Sequence, residues 1–476
     1  MSLTAKQALA MSVAEVKERC RFEFEDEQQE LQRWYESGKQ LTTGPNGDLM
    51  RKEDEREADW LQRVARMATV NALARIVDAV AGWIYHKSPK RLLARKANDE
   101  DKSQELIEDV FRRMKMRIVE RNRGRANVLL GKAWDAYGWR AGYGKGDPGS
   151  VTVRSVPRDD VYVEYDPNDP YRPTLLVHRF AREGAASLSD PYQYVKWTDE
   201  DYVSCDSSWK PLPLGDLPPS GANPFRLIPF SECRGLTVPG TERCVSLVRD
   251  VVAQMRLILN QLSDLDQLIR YQSGDVMVLK DFPTEEKKTI GASRFIRLNP
   301  DPNTDLFFAS PSAKIDEVLG VIKQRVEWCF QTCGLPVTVL TGDQEASGYA
   351  LVVRYQQALS LVQDFQERMG PGEEHALRVI CAVGRYGKLA LPEPWAIDPL
   401  VEFSSDIFPA DEDSRRIADS RDVRDGLMTK KDYIRRNRKD IPEDKIDAYL
   451  AELATEDAAR RSADALAFSA APGVGL

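Results

Sequence analysis

Glu242–Gln272, reading ERCVSLVRDVVAQMRLILNQLSDLDQLIRYQ, decides how the rest of this chain is read. Val248, Met255, Leu262 and Ile269 recur every seven residues, and Val251, Ile258 and Leu265 occupy a second heptad position. Arg, Gln, Asp and Asn fill the positions between them, so the spacing predicts a long helix with a narrow apolar seam. At ~1.5 Å per residue such a helix runs for roughly 45 Å. A second helix is predicted over Lys314–Cys333, with Ile315, Val318, Leu319, Ile322, Val326, Cys329 and Phe330 on one stripe. Gly334 and Pro336 then stop it. A narrow apolar face on a long charged helix implies packing against few neighbours, or against copies of itself. That suits a rod-like assembly element better than a catalytic core.

Outward from this pair the pattern is mixed. The insert between the two helices, Val276–Ser312, reads as strands at Val276–Leu279, Arg294–Leu298 and Asp305–Ala309, with a helical turn at Thr284–Ile290. After the second helix comes a polar, glycine-bearing connector, Thr338–Gly348, in which Ser347 is placed to N-cap a third helix. That helix, Tyr349–Met369, carries Val352, Tyr355, Leu359, Val362, Phe365 and Met369 on one side. Gly370-Pro371-Gly372 is expected to interrupt it before Glu373–Val383 resumes. A strand is expected around Leu400–Phe403, a charged helix over Asp411–Leu453, and a frayed Ala/Ser/Gly-rich end from Ala458. Upstream, residues 1–55 are polar with short helical patterns around Ala14–Tyr35. Glu53–Tyr85 reads as one strong helix, with Asn71 on its stripe and Ser88-Pro89 ending it. Leu106–Leu130 is helical and holds a basic run of Arg112, Arg113, Lys115, Arg117, Arg121, Arg123 and Arg125. This run is read either as contact with DNA or a capsid, or as a solvated face with partners such as Glu108 and Glu120. From about Trp139 to Phe230 the period becomes two. Val151–Val156, Val161–Tyr165, Thr174–Phe180, Gln193–Trp197 and Tyr202–Cys205 are short strands between turns such as Gly146-Asp147-Pro148-Gly149.

The fold class is therefore α+β, mainly helical, with a β-rich lobe inside a helical chain. At 476 residues the chain is long enough for several compact units, and 42% hydrophobic against 30% charged residues excludes a disordered chain. No run approaches the ~20 apolar residues of a membrane span, and Met1–Cys20 lacks the apolar core of a secretory signal. Seven scattered cysteines fit buried thiols in a reducing compartment better than a disulfide framework. A net charge of −8 is the wrong sign for a protein that grips DNA, since affinity for phosphate comes mainly from Lys and Arg. The charge therefore argues against a DNA-reading protein.

Few residues suggest chemistry. His86, His178 and His375 each stand apart from any nucleophile or ligand at a useful offset and read as structural. Cys329 and Cys333 lie four apart on the apolar stripe and no second pair matches them, so buried thiols are favoured over a metal site. Asp301-x-Asn303-x-Asp305 opens like a calcium loop, but Leu306 and Ser312 stand where Gly and Glu are required. Gly142-Tyr143-Gly144-Lys145-Gly146 fails as a phosphate loop, with Trp139 and Gly146 in place of Gly and Ser/Thr. Neither a cofactor nor a metal is expected, and no reaction.

The order of several short stretches resembles the tailed-bacteriophage portal proteins, the rings at the capsid vertex through which DNA enters and leaves. The matching pieces are Asn223-Pro224-Phe225-Arg226-Leu227-Ile228-Pro229-Phe230 before a long helix, Gly334-Leu335-Pro336, and Ser347-Gly348-Tyr349-Ala350-Leu351 opening another helix. Asn71–Pro89 resembles the family's early helix, and Phe403–Lys430, with Ile407-Phe408-Pro409 and Gly426-Leu427-Met428-Thr429, its late segment. The resemblance implies a helical N-terminal wing region (1–130), a β-rich wing lobe (131–240), stem helices at 241–275 and 314–336, and a clip between them (276–313). It further implies a tunnel loop (337–348), a spine helix (349–390), and a wing return strand with a helical crown (391–476). In such a ring Val248, Met255, Leu262, Ile269, Ile322 and Val326 pack the stem between helices and subunits. Asp281, Glu285, Glu286, Lys287 and Lys288 of the clip dock motor and adaptor. Thr341, Asp343, Gln344, Glu345 and Ser347 face DNA, with Gln344 and Ser347 able to hydrogen-bond phosphate and Asp343 and Glu345 repelling it. From the residues alone, the same loop is an ordinary connector with a cap. The implied partners are copies of the chain itself (a dodecamer in the family), the terminase large subunit, the major capsid or scaffold protein, a head-completion adaptor, and double-stranded DNA bound without sequence preference. The implied location is the virion, after assembly in the host cytoplasm. Two rival classes remain: a nucleic-acid-processing component of terminase or nuclease type, which requires a nucleotide or metal site, and a cytosolic helical scaffold.

Overall fold

The computed structural model describes residues 25–93, 102–181, 192–272, 276–280, 305–309, 315–336, 348–404, 419–437 and 446–453, with a few short internal gaps. Its helices are α1 (Glu25–Glu36), α2 (Glu57–Arg66), α3 (Ala72–Ile84), α4 (Lys102–Met114), α5 (Met116–Leu130), α6 (Val251–Gln272), α7 (Ile315–Thr332), α8 (Gly348–Tyr386) and α9 (Lys430–Asn437). Its strands are β1 (Lys90–Leu92), β2 (Lys132–Arg140), β3 (Ser150–Val156), β4 (Val161–Asp166), β5 (Asp169–Ala181), β6 (Tyr192–Trp197), β7 (Asp201–Asp206), β8 (Ser220–Ala222), β9 (Phe230–Arg234), β10 (Val276–Lys280), β11 (Asp305–Ala309) and β12 (Leu400–Glu402). The chain is mixed α+β. It divides into two compact units, one within 1–342 and 356–404 and one within 343–355 and 405–476.

In the first unit every strand pairs antiparallel, in a five-stranded sheet ordered β4-β5-β6-β7-β8, a three-stranded sheet β3-β2-β9, and the pairs β1-β12 and β10-β11. Alternation along β2 serves two cores at once. Trp134 and Ala136 pack with Val195, Trp197 and Phe230 against the five-stranded sheet. Tyr137 and Trp139 join Ile107, Val110 and Met114 of α4 and Ile380 and Val383 of α8 on the other side. Gly131 makes the turn from α5 into β2 with φ of 81°, and a Cβ there would lie 2.7 Å from the Val245 backbone. Only glycine meets both conditions. In the second unit, Lys431 Nζ donates to Asp447, and Arg436 and Asn437 both donate to Asp419.

Several helices depart from the expected course. The pattern over Glu53–Tyr85 is two helices, because Asn71 Oδ1 accepts the Ala74 N–H and starts α3 afresh after the break at 67–71. Leu106–Leu130 is likewise split, at Lys115, whose φ is 54°. The helix expected from Glu242 begins only at Val251. Thr237 bridges Cys244, the Val245 N–H reaches Leu236 O, and Ser246 Oγ accepts the Val248 N–H, so 243–246 are held extended. At ~1.5 Å per residue α6 is thus roughly 33 Å long. Gly370-Pro371-Gly372 does not interrupt α8, which runs unbroken through Pro371. A Cβ on Gly372 would sit 2.1 Å from the Glu232 carbonyl oxygen, so this glycine lets the helix lie directly on β9. The strand expected at Arg294–Leu298, the turn at Thr284–Ile290 and the helix over Ala14–Tyr35 before Glu25 lie outside the described residues. The charged helix expected over Asp411–Leu453 is described as α9 with further helical runs at 419–424 and 446–453.

Candidate assembly surface and buried ion network

Helices α6 and α7 pack antiparallel. Arg325 Nη1 donates to Gln254 Oε1 at 3.1 Å, while Cys333 Sγ approaches Leu247 O at 3.6 Å near the opposite ends of the two chain directions. The antiparallel pair β10-β11 belongs to the segment joining them. Both helices also contact α3. Of the residues expected to fill the seam, Val248, Met255 and Ile322 are buried, Leu262 and Val326 are half-buried, and Ile269 is exposed. Part of the seam is therefore filled within the chain, by α6, α7 and α3. The polar side of α6 is covered too. Arg256 pairs with Asp48 and Glu30, Asn260 exchanges hydrogen bonds with the 48–50 backbone, and Arg63 Nη1 donates to Ser263. Leu257 and Ile269 of α6 and Leu319, Val321 and Trp328 of α7 remain uncovered. Val321 (42% exposed) and Trp328 (44%) are seven residues apart, two turns, and share one face.

Asp281, Glu285, Glu286, Lys287 and Lys288 lie outside the described residues, as do Thr341, Asp343, Gln344, Glu345 and Ser347. The described residues contain no group of three or more His, Cys, Asp and Glu side chains able to hold a metal ion, and no helix long and apolar enough to cross a membrane. Cys205, Cys233, Cys244, Cys329, Cys333 and Cys381 are buried free thiols. Burial raises the Cys329 thiol to about 11 and the Cys333 thiol to about 12, which disfavours the thiolate that metal binding requires. His375 is half-buried, with Nε2 buried and unpartnered and its pKa lowered to about 4 by burial and the Arg378 charge. His178 lies in β5 between the Phe180 and Phe230 rings, its pKa also lowered to about 4, by burial and the Arg154 charge.

The basic run holds a surprise at Arg123. Arg112 and Arg113 do pair on the surface, both with Asp109, and Arg125 with Asp78. Arg123, however, is 0% exposed, and Glu120 is not a surface partner but equally buried. Arg123 Nε donates to Asp135 Oδ2 at 2.6 Å, Nη2 to the Tyr137 hydroxyl at 3.1 Å, and Nη1 to Glu373 Oε1. Arg91 of β1 donates to Glu373 Oε2 from Nε and Nη2 at 3.1 and 2.9 Å, and to Glu120 Oε1 at 2.7 Å. Tyr85 closes on Glu373 Oε1 at 2.6 Å, and Ser88 donates to both Glu120 oxygens. Two guanidinium groups thus meet three carboxylates drawn from α5, β2 and α8. Burial alone would raise the Glu373 pKa, but the Arg123 and Arg91 charges and the Tyr85 hydrogen bond hold it down to about 2. For Asp135 burial wins, and its carboxyl stays above the usual range despite Arg123. Burial lowers both arginine pKa values, yet the facing carboxylates carry them above the ordinary value. The arrangement joins elements far apart in sequence, and of its carboxylate oxygens only Asp135 Oδ1 is left without a hydrogen bond.

No protein-family model matches the chain, and no curated protein matches it. The solved structures similar to it include two from gene transfer agent particles. One is the neck of an empty gene transfer agent particle computed with C6 symmetry, at 13% identity over 84% of this chain and 97% of that one, with a TM-score of 0.44. The other is the virion of a native gene transfer agent particle, at 13% identity over 81% and 94%, with a TM-score of 0.38.

Proposed function

We propose that the chain is a subunit of a portal-type ring, a passive conduit for double-stranded DNA at a capsid vertex, with no reaction of its own. The observation that carries this reading is the order helix, antiparallel strand pair, returning helix, long helix in α6, β10-β11, α7 and α8, together with Leu257, Ile269, Leu319, Val321 and Trp328 left uncovered on α6 and α7. Of these, Val321 and Trp328 share one face of α7, an exposed apolar face marks a surface that another molecule covers, and a neighbouring copy in a ring meets it in head-to-tail fashion. The same reading assigns Asp281, Glu285, Glu286, Lys287 and Lys288 to docking of a packaging motor and adaptor. It assigns Thr341, Asp343, Gln344, Glu345 and Ser347 to transient contact with DNA. A negative net charge fits sliding rather than gripping. Native mass spectrometry with negative-stain imaging of the purified chain, alone and with its capsid or scaffold partner, tests the proposal. Closed rings with a central hole are expected. A stable small oligomer that hydrolyses ATP would overturn it.

A further inference from the structure

The two larger sheets do not close completely on one another. Between them lies a cleft of about 470 Å³, within the usual range for a small binding site. Trp139, Phe180, Trp197, Phe225, Phe230 and Tyr386 supply its aromatic walls. Polar groups are few. The Thr152 hydroxyl is already used, donating to Gly138 O at 3.1 Å. Arg154, by contrast, makes no hydrogen bond or ion pair among the described residues and is exposed on the cleft wall. The imidazole of His178 lies beside it, edge-on to Phe230 at 5.3 Å between ring centres.

Among the residues that line the cleft, Arg154 is the one cationic side chain, and no Asp or Glu stands with it. We propose that this cleft docks an acidic peptide segment of a partner protein, which inserts one aromatic side chain with a carboxylate beside it. The ring packs edge-to-face against the half-buried Phe180 and Phe225, an arrangement aromatic groups favour. The carboxylate takes the two parallel N–H groups of Arg154. His178, with one ring nitrogen donating and the other accepting, meets a neighbouring peptide group of either polarity. The recess is larger than one aromatic side chain fills, which leaves room for flanking backbone and favours a peptide over a free aromatic acid. This site stands apart from α6 and α7 and does not depend on ring formation.

The test is isothermal calorimetry on the full chain with an acetylated, amidated tetrapeptide containing tryptophan followed by aspartate, against the same peptide with asparagine. The aspartate peptide is expected to bind saturably and one to one, and the asparagine peptide about tenfold more weakly, the loss of one charge-assisted hydrogen bond. Arg154→Gln removes the difference, and Thr152→Tyr, which fills the cleft from its wall, weakens both. Both positions are exposed, so unchanged thermal unfolding verifies that the variants fold. Equal affinity for the two peptides, binding untouched by Arg154→Gln, or no saturable binding in the millimolar range overturns the proposal. So does 3-phenylpropionate binding as tightly as the aspartate peptide.

Discussion

The ion network around Glu373 and the helix pair α6/α7 are opposite solutions to being incomplete locally. In the network, Arg91, Glu120, Arg123, Asp135 and Glu373 come from four elements and Tyr85 and Ser88 from the link between α3 and β1, and each charge finds its counter-charge inside the same chain. On the helix pair, Met255 and Ile322 are covered within the chain while Ile269 and Trp328, on the same two helices, are not. The first region is finished when one chain folds. The second leaves Ile269 and Trp328 open on the chain's own surface. Burial of charge fixes a single geometry because any misplacement strands an ion in low dielectric, whereas an apolar stripe tolerates waiting in water at modest cost per residue. Substitutions should therefore separate the two regions by what they damage.

The largest effect is expected at Glu373. Glu373→Gln keeps the shape but leaves Arg91 and Arg123 short of their shared carboxylate, and breaking a buried pair costs about 3–5 kcal/mol. Urea unfolding followed by tryptophan fluorescence should show the midpoint collapse. A loss under about 1 kcal/mol would mean that water reaches the network and that the contrast with the helix pair is false.

A middle-sized effect is expected from pH, in two separate windows. His375 is held neutral, with a folded pKa of about 4 against an ordinary 6.5, facing Arg378 on its own helix and Asp169 and Glu232 from the strands. Below pH 6.5 the unfolded chain takes up a proton that the folded chain refuses, so stability is lost as pH falls from about 6.5 towards 4. The steepest slope is about 1.4 kcal/mol per pH unit for each such group. Glu373, lowered to about 2, contributes stability that is present above its unfolded value and lost only between about 4.5 and 2. His375→Gln should shrink the upper step in urea midpoints without moving the lower one. A single undivided loss would place the histidines and the network in one cooperative titration.

How much of this was legible follows the same division. Strands β3–β7 are readable because Val, Tyr and Trp alternate between Gly/Pro/Asp turns, and each falls close to its expected span apart from β5, which begins earlier. β2 is not, because Lys132-Ala133-Trp134-Asp135-Ala136-Tyr137 is buried on both faces with an ionised contact on one of them, which no hydrophobic alternation announces. The network is hidden by distance, since Arg123 and Glu373 stand 250 positions apart. One local clue existed. Met116, Glu120, Arg123, Asn127 and Leu130 fall on a single helical stripe, so charged residues occupied a line that apolar ones began and ended. Gly370-Pro371-Gly372 looked like a break because local propensity argues for one, and contact with the Glu232 carbonyl overrides it.

The smallest effect on folding, and the sharpest on assembly, is expected on α7 at two adjacent residues. Val321 is 42% exposed and Ile322 is 5% exposed, so one faces whatever covers the helix pair and the other faces the chain's own interior. Val321→Asp should change the unfolding free energy by no more than about 0.5 kcal/mol, as surface substitutions do. Ile322→Asp places an unpaired carboxylate in an apolar interior and should prevent folding or leave the carboxyl protonated. If a second copy covers this face, Val321→Asp, and Trp328→Ser with it, yields a folded chain that no longer forms rings in native mass spectrometry. Rings that persist in both variants would move the assembly surface off α7. Ring loss only alongside unfolding would erase the distinction between a region that one chain completes and a region that it leaves open.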